Sequence, residues 1–522
     1  MNTTEFLTIS SLIVPDREAV IFEDKRITYL ELQRRVNRLA NALAALGIGP
    51  GDRVAMLQVN CNQHIEAYFA TAKLDAVYVP MNFRARADEL AYMINDAGPK
   101  VVLVGARYVE LVKDCSKEIG CVDAYVALED PVDGWRHYET LLDAGDDDER
   151  YPGADGDDLT IIMFTAGTTG SPKGVMLSHD SFSSYILGNV TPADPDADDR
   201  NILTVPLYHI AGVQAAFASI YGGRRLIIQR QFEPLEWMRL VESERANRAM
   251  MVPTMLKMVM DSPNFHEHDL SSLEIITYGA ASMPLEVIKR AIAEFPGTHF
   301  INAFGQTETA ATITMLPPDA HMLDGTDEEN EAKLKRLGSI GRPLEDVEVQ
   351  IFDEDGKPVV VGEVGEIAAR GPRLMKGYWR QESATAETIR DGWLFTGDLG
   401  YQDDEGYIFL AGRAKDFIKR GGEMISPEEV ERVLQSHPSV DEAAIIGVND
   451  VDWGERVRAI VVLKNGRTAR EDEIIEFCRQ RLSSFKKPES VVFTDELPRN
   501  PLGKVLKRVL REEFSYPVEV GG

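Results

Sequence analysis

The chain has 522 residues, 44% of them hydrophobic, and carries 85 acidic against 56 basic side chains for a net charge of −29. That length exceeds the ~250–300 residues at which single cores stop growing, so more than one domain is expected. A negative field of this size repels phosphate backbones and argues against nucleic-acid binding. Four cysteines without a CxxC pair or His/Cys metal spacing, no apolar run near ~20 residues and no basic-then-apolar leader make a cytoplasmic protein without a membrane span the expectation.

Residues 28–47, TYLELQRRVNRLANALAALG, set Leu32, Val36, Leu39, Leu43 and Leu46 on one helical face. Thr28 and Glu31 form a capping box, and Gly47 stands where a left-handed stop belongs. DRVAMLQVN then reads as a strand, HIEAYFATAKLDA as a helix and AVYVPMN as another strand, an alternation that predicts a parallel sheet covered by helices. The acidic runs AGDDDER (144–150) and ADPDADDR (193–200) read as solvated loops.

LTIIMF, NILTVPL, RRLIIQ, LEIITYG and THFINAFG continue the strand rhythm, with LEWMRLVESERA and PLEVIKRAIAEF as helices between some of them. Polar, glycine-bearing loops follow LTIIMF, LEIITYG and THFINAFG, and functional loops in such sheets gather at strand carboxyl ends. Beyond about 340 the texture changes. VEVQIFDEDGKPV, GEIAARG and EGYIFLAG, joined by Asp-Gly and Gly-rich turns, predict a small β-barrel. Ser426, Pro427 and Glu429 start a helix, and the segments behind it read as a compact α+β unit of roughly 100 residues. The predicted division is 1–412, a hinge at 413–416, and 417–522.

FTAGTTGSPKG (164–174) raises the first chemical question. It fails the Walker pattern, because the sixth residue from Gly167 is Pro172 and Lys173 is followed by Gly174. Its glycines still allow close backbone approach, its hydroxyls can donate hydrogen bonds and Lys173 adds charge. Phosphate binding and a structural turn both remain open on local grounds.

Six further stretches come after it in order: PLYHIAG (206–212), YGAASMP (278–284), NAFGQTE (302–308), WLFTGDLG (393–400), GRAKDFIKRGGE (412–423) and PRNPLGKVLKR (498–508). With them the loop resembles the signature of the adenylate-forming superfamily of acyl-CoA synthetases, luciferases and peptide-synthetase adenylation domains, over nearly the whole chain. The resemblance implies an α/β fold: a large N-terminal domain of helix-covered, mostly parallel sheets plus the small barrel, and a small mobile C-terminal α+β domain. One residue departs from the pattern. The family usually has Ser where this chain has Ala166, a loss of about 1 kcal/mol of hydrogen bonding that Thr165, Thr168 and Thr169 can cover.

The implied chemistry has two steps. A carboxylate attacks the α-phosphate of ATP to give an acyl-adenylate, and the thiol of coenzyme A then displaces AMP. Two anions must meet, so charge neutralisation is central. By resemblance, Thr165, Ala166, Gly167, Thr168, Thr169, Gly170 and Lys173 hold the phosphates. Gly279, Ala280, Ala281, Asn302, Ala303, Phe304, Gly305, Gln306 and Thr307 bound the nucleotide, with Phe304 stacking on adenine. Asp398 and Arg413 take the ribose, Glu308 ligates Mg²⁺ and Lys504 bridges the carboxylate and α-phosphate. Lys415 is the hinge, Lys419, Gly421 and Gly422 meet CoA, and His209, Ala211, Gly212, Val213, Gly279 and Ala310 line the acyl pocket, which His209 gates.

Tyr208 and His209, with no acid beside them, argue against an amino-acid substrate. Lys504 and Glu308 argue against a dead relative, and the glycine-rich GRAKDFIKRGG face favours CoA. The small residues around the acyl site predict a medium- to long-chain fatty acid, with aryl or cyclic acids, or carrier-protein loading, as alternatives. The expected partners are the acid and CoA, and a homodimer is left open.

Overall fold

The computed structural model describes residues 1–165, 172–281, 283–323, 325–413, 416–420, 423–450, 453–499, 503 and 505–515. Among these residues two large sheets carry most of the chain. The first orders its strands as Arg342–Pro343, Ala311–Leu316, His299–Gln306, Ile275–Gly279, Arg248–Met251, Arg200–Leu203, Arg225–Ile228, Glu18–Phe22 and Lys25–Thr28. The six from His299–Gln306 to Glu18–Phe22 run parallel, flanked by antiparallel edges. The second sheet is parallel through Leu159–Thr165, Val77–Pro80, Arg53–Leu57, Val101–Val104, Ala124–Ala127 and Arg136–His137. Lys173–Ser178 and Gly377–Tyr378 extend it antiparallel.

The helical signals are realised where the sequence puts them. Tyr29–Ala45 is a helix whose Glu31 N–H donates to Thr28 Oγ1 at 3.2 Å, and Gly47 has φ +84°. Its apolar face, with Leu32, Val36, Leu39 and Leu43 fully buried, joins the largest core cluster. The helix predicted over HIEAYFATAKLDA spans Asn62–Ala72 and is buried along its whole length, as a helix wedged between two sheets must be.

The two acidic runs are mostly exposed loops, as expected, yet several of their carboxylates find partners. Glu149 accepts hydrogen bonds from Asn37 (2.9 Å) and Gln33 (3.0 Å) and pairs with the buried Lys73, while Asn41 donates to Asp146 at 2.7 Å. The first run thus straps the polar donors of the helix Tyr29–Ala45. In the second, Asp199 pairs with Arg248 at 2.9 Å and Asp198 with Arg200 at 2.7 Å, neutralising arginines at the amino ends of adjacent parallel strands. Register brings those cations side by side, so carboxylates are needed there.

The segment expected to form a small barrel is a five-stranded antiparallel sheet built on the long strand Trp393–Gln402, which pairs with Gly365–Arg370 and with Ile408–Arg413. A last sheet joins Glu423–Ile425, Ile418–Arg420, Gly454–Leu463, Val440–Asp450 and Ser490–Phe493, covered by Pro427–Gln435 and Glu471–Arg479. Ser426 caps the first of these helices, accepting from Glu429 N–H at 3.3 Å. The terminal helix Lys507–Phe514 is fastened by Lys507 to Glu431 (2.8 Å) and by Arg511 to Asp416 (2.9 Å). No helix among the described residues is long and apolar enough to cross a membrane.

Candidate active site

The two ends of the stretch FTAGTTGSPKG lie on paired antiparallel strands. Thr165 stands opposite Lys173 in the antiparallel pair, and Thr165 Oγ1 donates to the Lys173 carbonyl at 3.5 Å. Ala166, Gly167, Thr168, Thr169 and Gly170 lie outside the described residues. The outer edge of the strand Lys173–Ser178 is covered by a segment that sequence reasoning passed over, MKGYW (375–379). Lys376 N–H donates to Met176 and Trp379 N–H to Gly174, at 2.9 and 2.7 Å.

This places Tyr378 between two predicted site residues. Its hydroxyl donates to Glu308 Oε1 at 3.0 Å, and Lys173 Nζ sits 4.7 Å from its ring centroid. The arrangement combines a hydrogen bond to a carboxylate, among the stronger kinds, with a cation–π contact. The Glu308 carbonyl also accepts from Met375 N–H at 2.9 Å. The 3₁₀ turn Thr307–Thr309 that carries Glu308 packs against the strands Lys173–Ser178 and Trp393–Gln402. It is therefore the meeting point of the lysine and ribose-type motifs.

Internal bonds hold that turn in shape. Gln306 N–H donates to Thr309 Oγ1 at 3.0 Å, and the Thr309 hydroxyl contacts the Ala311 carbonyl at 2.9 Å. A Cβ at Gly305 would collide with the same Ala311 carbonyl, and one at Gly279 with the Ala303 carbonyl across the ladder. Ala280, Ala310 and Ala311 have φ of +64°, +47° and +78°. An L-residue in the left-handed region costs about 1–2 kcal/mol, and such strain clusters at functional sites.

The predicted nucleotide residues divide. Phe304 is half-buried and packs against Ile340, Ile351, Ile367 and Ile408. Asn302 already donates its amide to the Ser339 carbonyl at 3.1 Å, which fixes its orientation. Ala303, Gln306 and Thr307 are half-buried, and so is Ala281, two residues beyond the strand Ile275–Gly279. Asp398 is 8% exposed and stands directly across the ladder from Arg413. The side chains of Arg413 and Lys419 lie outside the described residues, as do Lys415, Gly421, Gly422 and Lys504. Gly503 is described. Its φ is +75° and a Cβ there would strike the Thr254 hydroxyl, so the chain just before Lys504 rests on the start of the helix Pro253–Met260. That helix follows the strand Arg248–Met251, next in the sheet to Ile275–Gly279.

His209 precedes the helix Ile210–Tyr221. Its Nε2 is buried without a hydrogen-bond partner among the described residues. Burial, helped by the Arg84 cation, pushes its pKa down to about 3, so the ring is neutral at pH 7. Ala211, Gly212 and Val213 are buried, and a side chain at Gly212 would press into the Pro206 carbonyl. Ala310 is buried as well. The free cysteines sit apart from this chemistry: burial pushes the Cys61 thiol up to about 12 and that of Cys478 to about 11.

Among the described residues no group of three or more His, Cys, Asp or Glu could hold a metal unaided. The single carboxylate of Glu308 beside a lysine-bearing hairpin nevertheless suits Mg²⁺, which keeps its waters and binds through one or two carboxylates plus substrate phosphates.

The chain is similar to known proteins along nearly its whole length. A family model described as AMP-binding enzyme matches residues 13–379, and one described as AMP-binding enzyme C-terminal domain matches 429–504. A feruloyl-CoA synthase of Amycolatopsis sp is 36% identical over 501 residues, covering 96% of each chain. The long-chain-fatty-acid–CoA ligase FadD13 of Mycobacterium tuberculosis is 36% identical over 501 residues, 95% of this chain and 94% of its own. The crystal structure of ATP-bound MatB from Rhodopseudomonas palustris superposes with a TM-score of 0.87 at 32% identity, covering 99% of both chains.

Proposed function

Because the chain belongs to the AMP-binding enzyme family, we propose that it is an ATP-dependent carboxylic acid–CoA ligase working through an acyl-adenylate. The observation that carries this reading is the contact set of Tyr378, which ties Glu308 to Lys173 at the mouth of the hairpin.

In the first step the substrate carboxylate oxygen attacks the α-phosphorus and the bond to pyrophosphate breaks. Lys173 offers positive charge to the phosphates. Glu308 is the residue to hold Mg²⁺, which when bound neutralises phosphate charge. Tyr378 fixes the Glu308 carboxylate and keeps the Lys173 ammonium close to it. Asp398, mostly buried, is suited to accept from the ribose hydroxyls. Lys504 is assigned the bridge between carboxylate and α-phosphate, and the docking of Gly503 on Thr254 supports this by bringing the chain to the carboxyl end of the strand Arg248–Met251, beside Ile275–Gly279. In the second step the CoA sulfur attacks the acyl carbon and AMP leaves with the electron pair. Residues 413–416 are assigned the hinge between 1–412 and 417–522, with Lys419, Gly421 and Gly422 facing CoA.

His209 is neutral and enclosed, which supports a lining and gating role over acid–base catalysis. Relatives of equal identity are named for an aromatic and for a long-chain acid, so the choice of acid turns on the residues near His209. The test is pyrophosphate and AMP release across straight-chain, branched, dicarboxylic and aromatic acids, with and without CoA. AMP formation that depends on both an acid and CoA supports the reading; its absence with every acid refutes it.

A further inference from the structure

The strand Val440–Asp450 carries two consecutive acids, Asp441 and Glu442, near its start. Val440 stands opposite Leu463 and Glu442 opposite Val462, so Asp441 is one extra residue, a bulge. Bulges re-aim side chains and gather next to active sites. Both acids are half-buried, and each holds a cation from a distant part of the chain. Asp441 pairs with Lys257 at 3.3 Å. Lys257 lies on the helix Pro253–Met260, three residues after Thr254, and residues at that spacing share a helix face. Thr254 is the seat of Gly503. One helix face thus meets the segment 417–522 twice, at Asp441 and at Gly503.

Glu442 pairs with Arg499 at 2.7 Å. The Arg499 guanidinium also donates to the Gly503 carbonyl. Arg499 and Val505 face each other in an antiparallel bridge, and Leu506 N–H donates to the Pro498 carbonyl at 2.8 Å. The chain on either side of Lys504 is therefore clamped to Glu442, next to the residue that docks on Lys257. The two pairs differ in what they fix. Glu442–Arg499 lies wholly within 417–522 and travels with it. Asp441–Lys257 joins 417–522 to 1–412 and counts only while the two are docked in this way. Its partners are about a third exposed. Such a pair adds little to folding, yet it biases a choice between two docked arrangements by its full differential value.

We propose that Asp441 and Glu442 are positioning residues for adenylation: Asp441 docks the bulged strand on Lys257, and Glu442, through Arg499, fixes the chain that leads into Lys504 against that dock. The inference rests on the ligase reading with its two half-reactions and adds to Lys504 the residues that aim it. A reacting group that is misplaced by about an ångström loses rate even when its chemistry is intact, so the effect belongs to the adenylation step alone.

The test uses the full chain and the acid it turns over fastest, and measures the half-reactions apart: single-turnover pyrophosphate release from ATP and Mg²⁺ without CoA, and thioester formation from supplied acyl-AMP and CoA. Asp441→Asn should slow the first about three- to fivefold, the weight of a partly exposed ion pair. The half-saturating ATP concentration should not change, and the second step should run as fast or faster. Asp441→Glu should recover most of the loss, and Lys257→Met should add nothing to Asp441→Asn, since the two act as one pair. The gap between parent and Asp441→Asn should shrink in about 0.5 M NaCl, which screens partly exposed charges. Glu442→Gln should slow the first step about tenfold or more, again sparing the second. Equal losses in both steps overturn the proposal, as does unchanged pyrophosphate release in both Asp441→Asn and Glu442→Gln, and in either case the ligase reading stands. A parent that releases no pyrophosphate with any acid overturns the ligase reading and this inference with it.

Discussion

The hydroxyl of Tyr378 donates to Glu308 Oε1 at 3.0 Å, joining residues 70 positions apart in sequence. The contact orients a carboxylate suited to Mg²⁺ before any nucleotide arrives. Tyr378→Phe keeps the ring over Lys173 and removes the bond to Glu308. Hydrogen bonds to charged groups are worth about 1.5–3 kcal/mol, so kcat/KM for ATP should fall about tenfold or more, and the urea midpoint should fall with it. Steady-state pyrophosphate release against ATP concentration measures it. Tyr378→Ala should lose more, because the cation–π contact with Lys173 goes too.

The strand-end alanines should show their strain in opposite-sign substitutions. Ala280→Gly and Ala310→Gly relieve positive φ and should each raise stability by roughly 1 kcal/mol, after the added entropy of glycine in the unfolded chain. Gly305→Ala drives a Cβ into the Ala311 carbonyl and should lower stability by about 2 kcal/mol or more, as overpacking does. Urea midpoints at constant slope decide both.

Four histidines give the protein an acid-side weakness. Burial pushes the pKa of His209 down to about 3 and those of His64, His179 and His321 to about 4. The unfolded chain protonates them near 6.5. Below that pH the unfolded state binds more protons, so stability should fall as pH drops from about 6.5 towards 4, with no contribution from these groups above 6.5. His209→Gln should make the loss shallower. It should also leave the shape of the adenylation pH profile between about 6 and 9 unaltered, since His209 does not titrate there. Unfolding midpoints and initial rates over that range provide the check.

The two half-reactions should separate at the C-terminal loop. Lys504→Ala should abolish pyrophosphate release yet still convert supplied acyl-AMP and CoA to product. Gly503→Ala disturbs the seat on Thr254 and should slow adenylation at least tenfold while sparing thioester formation. Equal loss of both half-reactions would count against this division.

Much of the architecture could be read from the chain because periodicity, caps and turns agreed. Thr28 caps its helix, Gly47 takes the left-handed φ, and the polar loops do end parallel strands. Glu308 and Lys173 were visible through their motifs. Tyr378 was not, because it lies on a two-residue strand too short for any period; its signal was the run MKGYW just after the strand Gly365–Arg370. The acidic runs read correctly as exposed loops, but the partners of Glu149 and Asp199 were not legible, because Lys73 and Arg248 lie far away in sequence.

The most direct measurement of the central reading tracks AMP and pyrophosphate together, with an aromatic acid, ATP and Mg²⁺, before and after CoA is added. An acid-dependent release of pyrophosphate, then one AMP and one acyl-CoA per pyrophosphate once CoA is present, is the predicted result. ADP and inorganic phosphate as products, or AMP formation that ignores the acid, would contradict it.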